Sequence, residues 1–330
     1  MKQLHNSIGI VIPNRNDSQH LTECINSLIP QKKYIKQVIF VDDNSTDNSV
    51  EIAKKLLKNF NDYKIIKLKK QLGPMGVLNE GIKYQKSEFI SFLASNDFCH
   101  KDFIKESYIA LNSISYVPGI LTAMCNKLET DSIKIHNSPI LSFRTKYYNA
   151  QECDKFTLKL GNWITGSTTL FNKNLLKKIG GFNLEYYGLS DLLTSIHLSS
   201  HSGALFIPFP YGYMRMHKGG FLEGTITSPK KMHEIIKNIK LDNKSEIFKS
   251  RKFKKITVER IIYSSIMSGT EYANFKPYIS KYKYFFIKLI PKSLGKKYQQ
   301  VLFFIILRGY DLFSFFYYRY LLHLIYRFLK

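Results

Sequence analysis

Three apolar, β-rich runs near the start of the chain, Gly9 to Ile12, Val38 to Val41 and Phe89 to Leu93, each end in a polar loop, with segments of helical spacing between them. A weaker run covers Ile65 to Leu68. Leu21, Ile25 and Leu28, then Val50, Ala53, Leu56 and Leu57, then Val77, Ile82 and Tyr84 recur along one helical face. Buried strands alternating with helices through short connections predict an α/β fold, a mostly parallel sheet flanked by helices. Ligands of such sheets bind beyond the carboxyl ends of the strands. The loops Pro13-Asn14-Arg15-Asn16, Asp42 through Asp47 and Ala94-Ser95-Asn96-Asp97 are therefore expected to share one crevice. Each loop alone has ordinary turn composition, but three at successive strand ends read as a binding site. Side-chain oxygens of Thr46, Asp47 and Ser49 are expected to cap the second helix.

Charge divides the chain in two. Of a net +24, residues 230–330 carry 22 basic against 6 acidic side chains, a net of +16. A basic tail of this kind suits nucleic acid, an anionic membrane or a polyanionic glycan. Nucleic acid is disfavoured, because the basic residues accompany aliphatic helices without a recognised binding motif. Twelve Phe or Tyr residues fall between Tyr298 and Phe328, yet the longest uncharged run there, Tyr298 to Leu307, is ten residues. That is well short of the ~20 a spanning helix needs. The segment from about Lys281 to Lys330 reads either as an interfacial helix on an anionic membrane surface or as a helical subdomain packed on the sheet. Cys24, Cys99, Cys125 and Cys153 form no C-x-x-C pair and no zinc spacing, and no basic-then-apolar leader opens the sequence. A cytoplasmic protein, peripheral on the inner face of the membrane, is expected.

The motifs resemble those of the inverting family 2 glycosyltransferases of the GT-A, Rossmann-like fold. Ile8 to Asn16 is similar to the family's first strand and I-P-x-x-N loop, and Val41 to Asp47 to its V-D-D-x-S-x-D segment. Gly73, Asn79 and Gly81 resemble a G-x5-N-x-G element, and Gly180-Gly181-Phe182-Asn183 the G-G-F-D/N turn. The resemblance covers roughly the first 220 residues. It implies a GT-A domain over 1–225, with a donor half of about 1–110 and an acceptor half of about 111–225, followed by a helical C-terminal extension over 226–330. It also implies a nucleotide-sugar donor, a UDP-sugar, held by Pro13, Arg15, Asn16, Asp42, Asp43, Gly73, Asn79, Asn96 and Asp97. Gly73-Pro74 is equally readable as an ordinary helix start.

The sequence departs from the family at its catalytic motifs. The D-x-D-D run, whose metal neutralises the diphosphate, reads Ala94-Ser95-Asn96-Asp97 here. Asn96, Asp97 and His217 are the implied ligand set for Mn or Mg, and with one formal charge among them weak, donor-dependent binding is expected. His217 is also readable as a plain surface-loop histidine. Leu78 stands where many members have a basic residue, and Arg15, Arg215 and Lys218 are cations that could serve the diphosphate instead. The E-D pair reads Ser190-Asp191, which makes Asp191 the candidate general base or, alternatively, a helix N-cap. Trp163, Thr165 and Gly166 fall where members line the acceptor pocket, with Trp163 either a sugar platform or core. The expected activity is inverting transfer to a glycan or lipid-linked acceptor in envelope polysaccharide synthesis, such as lipopolysaccharide or capsule. The alternative is a non-catalytic relative that binds nucleotide sugar or glycan.

Overall fold

The computed structural model describes residues 6–129, 132–135, 139–216 and 220–280, together with the single positions 283, 287 and 302. The stretch expected to be the donor half is built from β1 (Ile8–Asn14), α1 (Ser18–Leu28), β2 (Ile35–Asp42), α2 (Ser49–Leu56), β3 (Tyr63–Lys67), α3 (Gly73–Tyr84) and β4 (Phe89–Phe92). Next come β5 (Phe98–Cys99), α4 (Phe103–Asn112), β6 (Ile120–Glu129), β7 (Ser132–Ile135), β8 (Lys146–Tyr148), α5 (Ala150–Leu160), β9 (Thr169–Asn172), α6 (Lys173–Lys178), α7 (Ser190–Ser202) and β10 (Ala204–Arg215). The chain then turns helical, with α8 (Glu223–Ile226), α9 (Pro229–Leu241), α10 (Glu246–Lys249) and α11 (Arg251–Met267).

One sheet runs in the order β3-β2-β1-β4-β9-β6-β10-β5, with β7 beside β6 and β8 beside β10. The donor-half strands β3, β2, β1 and β4 are parallel, as the alternation requires. The acceptor half is mixed: β6 and β10 are parallel, while β9 lies antiparallel between β4 and β6. Alternation of side chains along a strand explains the uninterrupted apolar runs. Ile8, Ile10 and Ile12 enter the core under α1, α2 and α4, and Val11 enters the opposite core with Val77, Leu78 and Ile82 of α3. Gly81 is what lets α3 close on β1, because a Cβ there would overlap the Val11 side chain.

A third core joins the C-terminal helices to the sheet domain. Leu193 and Ile196 of α7 pack with Ile235 and Ile239 of α9 and with Phe248 and Phe253. Arg260 of α11 donates to the carbonyls of Thr157 and Leu158, satisfying groups at the end of α5. Residues 226–280 of the helical extension are thus a packed subdomain. The aromatic segment considered for a membrane surface lies outside the described residues apart from positions 283, 287 and 302. No helix among the described residues is long and apolar enough to cross a membrane.

Candidate active site

The loops after β1, β2 and β4 are bonded into one wall. Asn14 of β1 donates its side-chain amide to Asp42 Oδ1 at 2.8 Å and to Ser45 Oγ at 3.1 Å. Ser45 Oγ also accepts the Asn16 backbone N–H at 2.9 Å, and Asn16 Oδ1 accepts that of Thr46 at 2.9 Å. The third loop joins through the Ser95 N–H, given to the Pro13 carbonyl at 3.2 Å, and the Ser95 hydroxyl, given to Asp17 at 2.7 Å. Asn16 and Asn44 sit at φ 54° and 60°, in the left-handed region that asparagine tolerates. The helix cap expected near Thr46 is supplied by Asp47, whose carboxylate accepts N–H groups of Ser49 and, across the crevice wall, Ser18.

Several of the residues expected to contact the donor also brace the fold. Asp42 is fully buried, with Oδ1 on Asn14 and Oδ2 accepting the Ser45 N–H at 2.9 Å. Asp43 is buried too, and its two oxygens accept the N–H groups of Leu72 at 2.6 Å and Gly73 at 3.0 Å where α3 begins. Gly73 is at once helix start and special conformation, at φ +73°, with open space where a side chain would stand. Asn79 is engaged within the protein on both of its amide atoms. Its amide donates to the Phe182 carbonyl and its Oδ1 accepts the Phe182 N–H, both at 2.8 Å, so it clamps the Gly180-Gly181-Phe182 turn to α3. Pro13 is half-buried at the wall, and Arg15 and Asn16 are exposed on it.

Beyond β4 the position of the metal motif holds a cation supplied by the protein. The antiparallel pairing of β5 with β10, Tyr213 opposite Phe98, brings Arg215 onto the 96–97 loop. The Arg215 backbone N–H is donated to Asp97 Oδ1 at 2.9 Å, and its guanidinium to the Asn96 carbonyl and to the Glu23 carboxylate. Burial pushes the Asp97 carboxyl up to about 7, against the pull of the Arg215 N–H and guanidinium. These residues do not suit a hard divalent cation, which needs several anionic oxygens. Ala94 offers a methyl group, Asn96 only a neutral amide with Arg215 on its backbone carbonyl, and Asp97 is a single buried carboxylate beside a positive charge. No cluster of three or more His, Cys, Asp or Glu that could hold a metal occurs among the described residues, and His217 lies outside them.

The acceptor side lies at the same edge of the sheet. Because β9 runs antiparallel to β4, its first residue and the 3₁₀ turn Gly166–Thr168 before it stand at the carboxyl end of β4, and on the other side Thr169 lies opposite Thr122 early in β6. Asp191 occupies the first turn of α7, where its Oδ1 accepts the Leu192 N–H at 2.7 Å. Its Oδ2 lies where a Cβ on Gly166 would be, so only glycine leaves this carboxylate its place. Asp191 is half-buried, and desolvation raises its carboxyl above the ordinary value against the backbone hydrogen bonds that lower it. Thr165 is buried, its carbonyl accepting the hydroxyls of Thr168 and Thr169. Trp163 is no sugar platform: it is 1% exposed, and its Nε1 donates to Thr157 Oγ1 at 2.9 Å within the core. Sequence reasoning named Arg215 as a possible cation without placing it and missed Glu23 of α1, since only the pairing of β10 with β5 brings Arg215 to the loop and to Glu23.

Residues 9–180 match the family model described as glycosyl transferase family 2. The chain is 31% identical over 101 residues to the glycosyltransferase GlyG of Streptococcus pneumoniae, covering 31% of this chain and 34% of GlyG. It is 26% identical over 209 residues to a dolichyl N-acetyl-α-D-glucosaminyl phosphate 3-β-D-2,3-diacetamido-2,3-dideoxy-β-D-glucuronosyltransferase of Methanococcus voltae, covering 54% of this chain and 64% of that one. These matches thus span about a third and just under two thirds of the relatives' lengths. TarS of S. aureus, residues 1–349 in complex with UDP-GlcNAc, shares the fold at a TM-score of 0.60 and 18% identity, over 94% of this chain and 89% of that TarS 1–349 chain.

Proposed function

The chain belongs to glycosyl transferase family 2, and on that premise we propose that it transfers a sugar from a UDP-sugar to a hydroxyl of a glycan or lipid-linked acceptor, with inversion. The observation that carries this reading is Asp191, a carboxylate held beside Gly166 at the edge of the sheet where the three strand-end loops converge. In the transfer, Asp191 takes the proton of the acceptor hydroxyl as its oxygen attacks the anomeric carbon from the face opposite the diphosphate. The bond between that carbon and the diphosphate oxygen breaks, and the nucleoside diphosphate leaves with the electron pair. The raised carboxyl of Asp191 makes it a stronger base than an exposed aspartate. The wall of Pro13, Arg15, Asn16 and the loops braced by Asp42 and Asp43 receives the nucleotide, and Thr165 and Gly166 border the acceptor.

A uridine nucleotide is favoured because TarS, of the same fold, was solved with UDP-GlcNAc. An acceptor in envelope polysaccharide synthesis and a station on the inner face of an anionic membrane are favoured by the basic C-terminal third. Within it, a cavity of about 350 Å³ is lined by Lys240, Arg251, Lys254 and Lys255 beside Tyr278. Four free, buried cysteines agree with a reducing compartment.

The test is a screen of nucleotide sugars for thermal stabilisation and for donor hydrolysis, with EDTA and with manganese. Stabilisation by UDP-sugars is expected. If no nucleotide sugar stabilises the protein, the donor reading is wrong, and donor binding without hydrolysis or transfer to any glycan acceptor would make it a binding protein.

A further inference from the structure

We propose that Arg215 is the diphosphate-binding cation of this enzyme, held ready at the degenerate metal motif by Asn96 and Glu23. The proposal rests on the donor reading above and deepens it. Expulsion of a nucleoside diphosphate requires positive charge beside the phosphates. In this chain the residues after β4 supply a methyl group, a neutral amide and one buried carboxylate, which is a poor cation cage. The same loop instead receives a permanent cation from β10.

The guanidinium is oriented on three sides. The Arg215 backbone N–H is fixed to Asp97 Oδ1 at 2.9 Å, the guanidinium donates to the Asn96 backbone carbonyl, and its Cζ lies 5.4 Å from the centre of the Phe98 ring. Phe98 is in turn stacked on Tyr213, with centroids 4.5 Å apart, so the surface under the guanidinium is itself rigid. The remaining partner is Glu23, whose side chain is half exposed on α1. A surface carboxylate is a weak and exchangeable partner. A diphosphate, with more charge and the geometry for paired N–H donation, competes for the same guanidinium. Glu23 therefore parks Arg215 in the free protein and yields it to the donor.

Calorimetry of the full chain in EDTA, with UDP and with uridine, tests this in wild type, R215Q and R215K. Wild type is expected to bind UDP without added metal. R215Q should lose about tenfold or more in UDP affinity while uridine binding is unchanged, since a charge-assisted contact to phosphate is lost and no contact to the nucleoside. R215K should retain part of the UDP affinity, and uridine binding by each variant reports that its crevice is intact. UDP binding that R215Q leaves unchanged, or that wild type shows only with manganese, overturns the assignment alone. Failure of wild type to bind any nucleoside diphosphate, under either condition, overturns the donor reading and this assignment with it.

Discussion

Gly166 and Asp191 meet at the carboxyl edge of the sheet, the glycine leaving the space that the Asp191 carboxylate fills. A methyl group at position 166 meets the far end of a side chain, so the fold can accept it, but only by moving the carboxylate. Gly166→Ala is expected to lower kcat about 100-fold, the scale of a misplacement of about 1 Å. Donor affinity and melting temperature should stay near wild type. Asp191→Asn should remove transfer while keeping donor binding. A G166A enzyme that transfers sugar at the original rate would separate Asp191 from the chemistry.

The pH dependence follows from the direction of the same shift. Burial raises the Asp191 carboxyl above its ordinary value. A general base works as the anion, so activity is full above the raised pKa and is lost as pH falls through it. The acid limb of the kcat profile is therefore expected above the ordinary carboxylate range. A limb at the value of an exposed aspartate would contradict the assignment.

Asp42 and Asp43 should respond differently to truncation. Asp42→Ala strips acceptors from the Asn14 amide and the Ser45 N–H inside a buried loop, and a loss of about 2–3 kcal/mol of stability is expected. Asp43→Ala frees the Leu72 and Gly73 amides at the start of α3, so weaker UDP binding is the expected result. Denaturant unfolding and calorimetry on the two variants check this. Unaltered stability of D42A would show that the brace is dispensable.

The C-terminal helices carry a pH-dependent tie of their own. Burial of Asp242 works to raise its carboxyl, but hydrogen bonds from His197, Tyr186 and the Lys244 amide prevail and hold it well below the ordinary value. His197 Nε2 stands 3.0 Å from Asp242 Oδ2, and the Tyr186 hydroxyl donates to the same oxygen at 2.6 Å. A depressed folded-state pKa contributes stability that is present above the ordinary carboxylate value and lost as pH falls below it. Asp242→Asn is expected to flatten this acid dependence and to cost about 1–3 kcal/mol at neutral pH. Unfolding curves from pH 7 downward, compared between variant and wild type, give the answer. Parallel curves would remove Asp242 as the source.

The parallel donor-half sheet was legible because its signals are local. Uninterrupted apolar runs follow from strands covered on both faces, and polar loops at their ends follow from where such sheets leave room for ligands. Asp191 was singled out through its place after the Gly-Gly-Phe turn, and the structure sets it beside Gly166. The mixed acceptor half was not legible, because β9 is a four-residue strand whose antiparallel course is fixed by its neighbours.

By itself, then, the sequence determined the donor-half architecture, the family and the loops that would meet, all properties of residues close together in the chain. Only the tertiary structure decided what individual side chains do. It put Trp163 into the core, tied Asn79 to Phe182, and set Arg215 on Asn96 and Asp97. Arg215 and Asp97 are 118 residues apart, and they touch because β10 is pinned beside β5 by backbone hydrogen bonds that any side chain would permit. Residue identity leaves that pairing unmarked, and so which of the candidate cations reaches the loop is decided only once the sheet is closed.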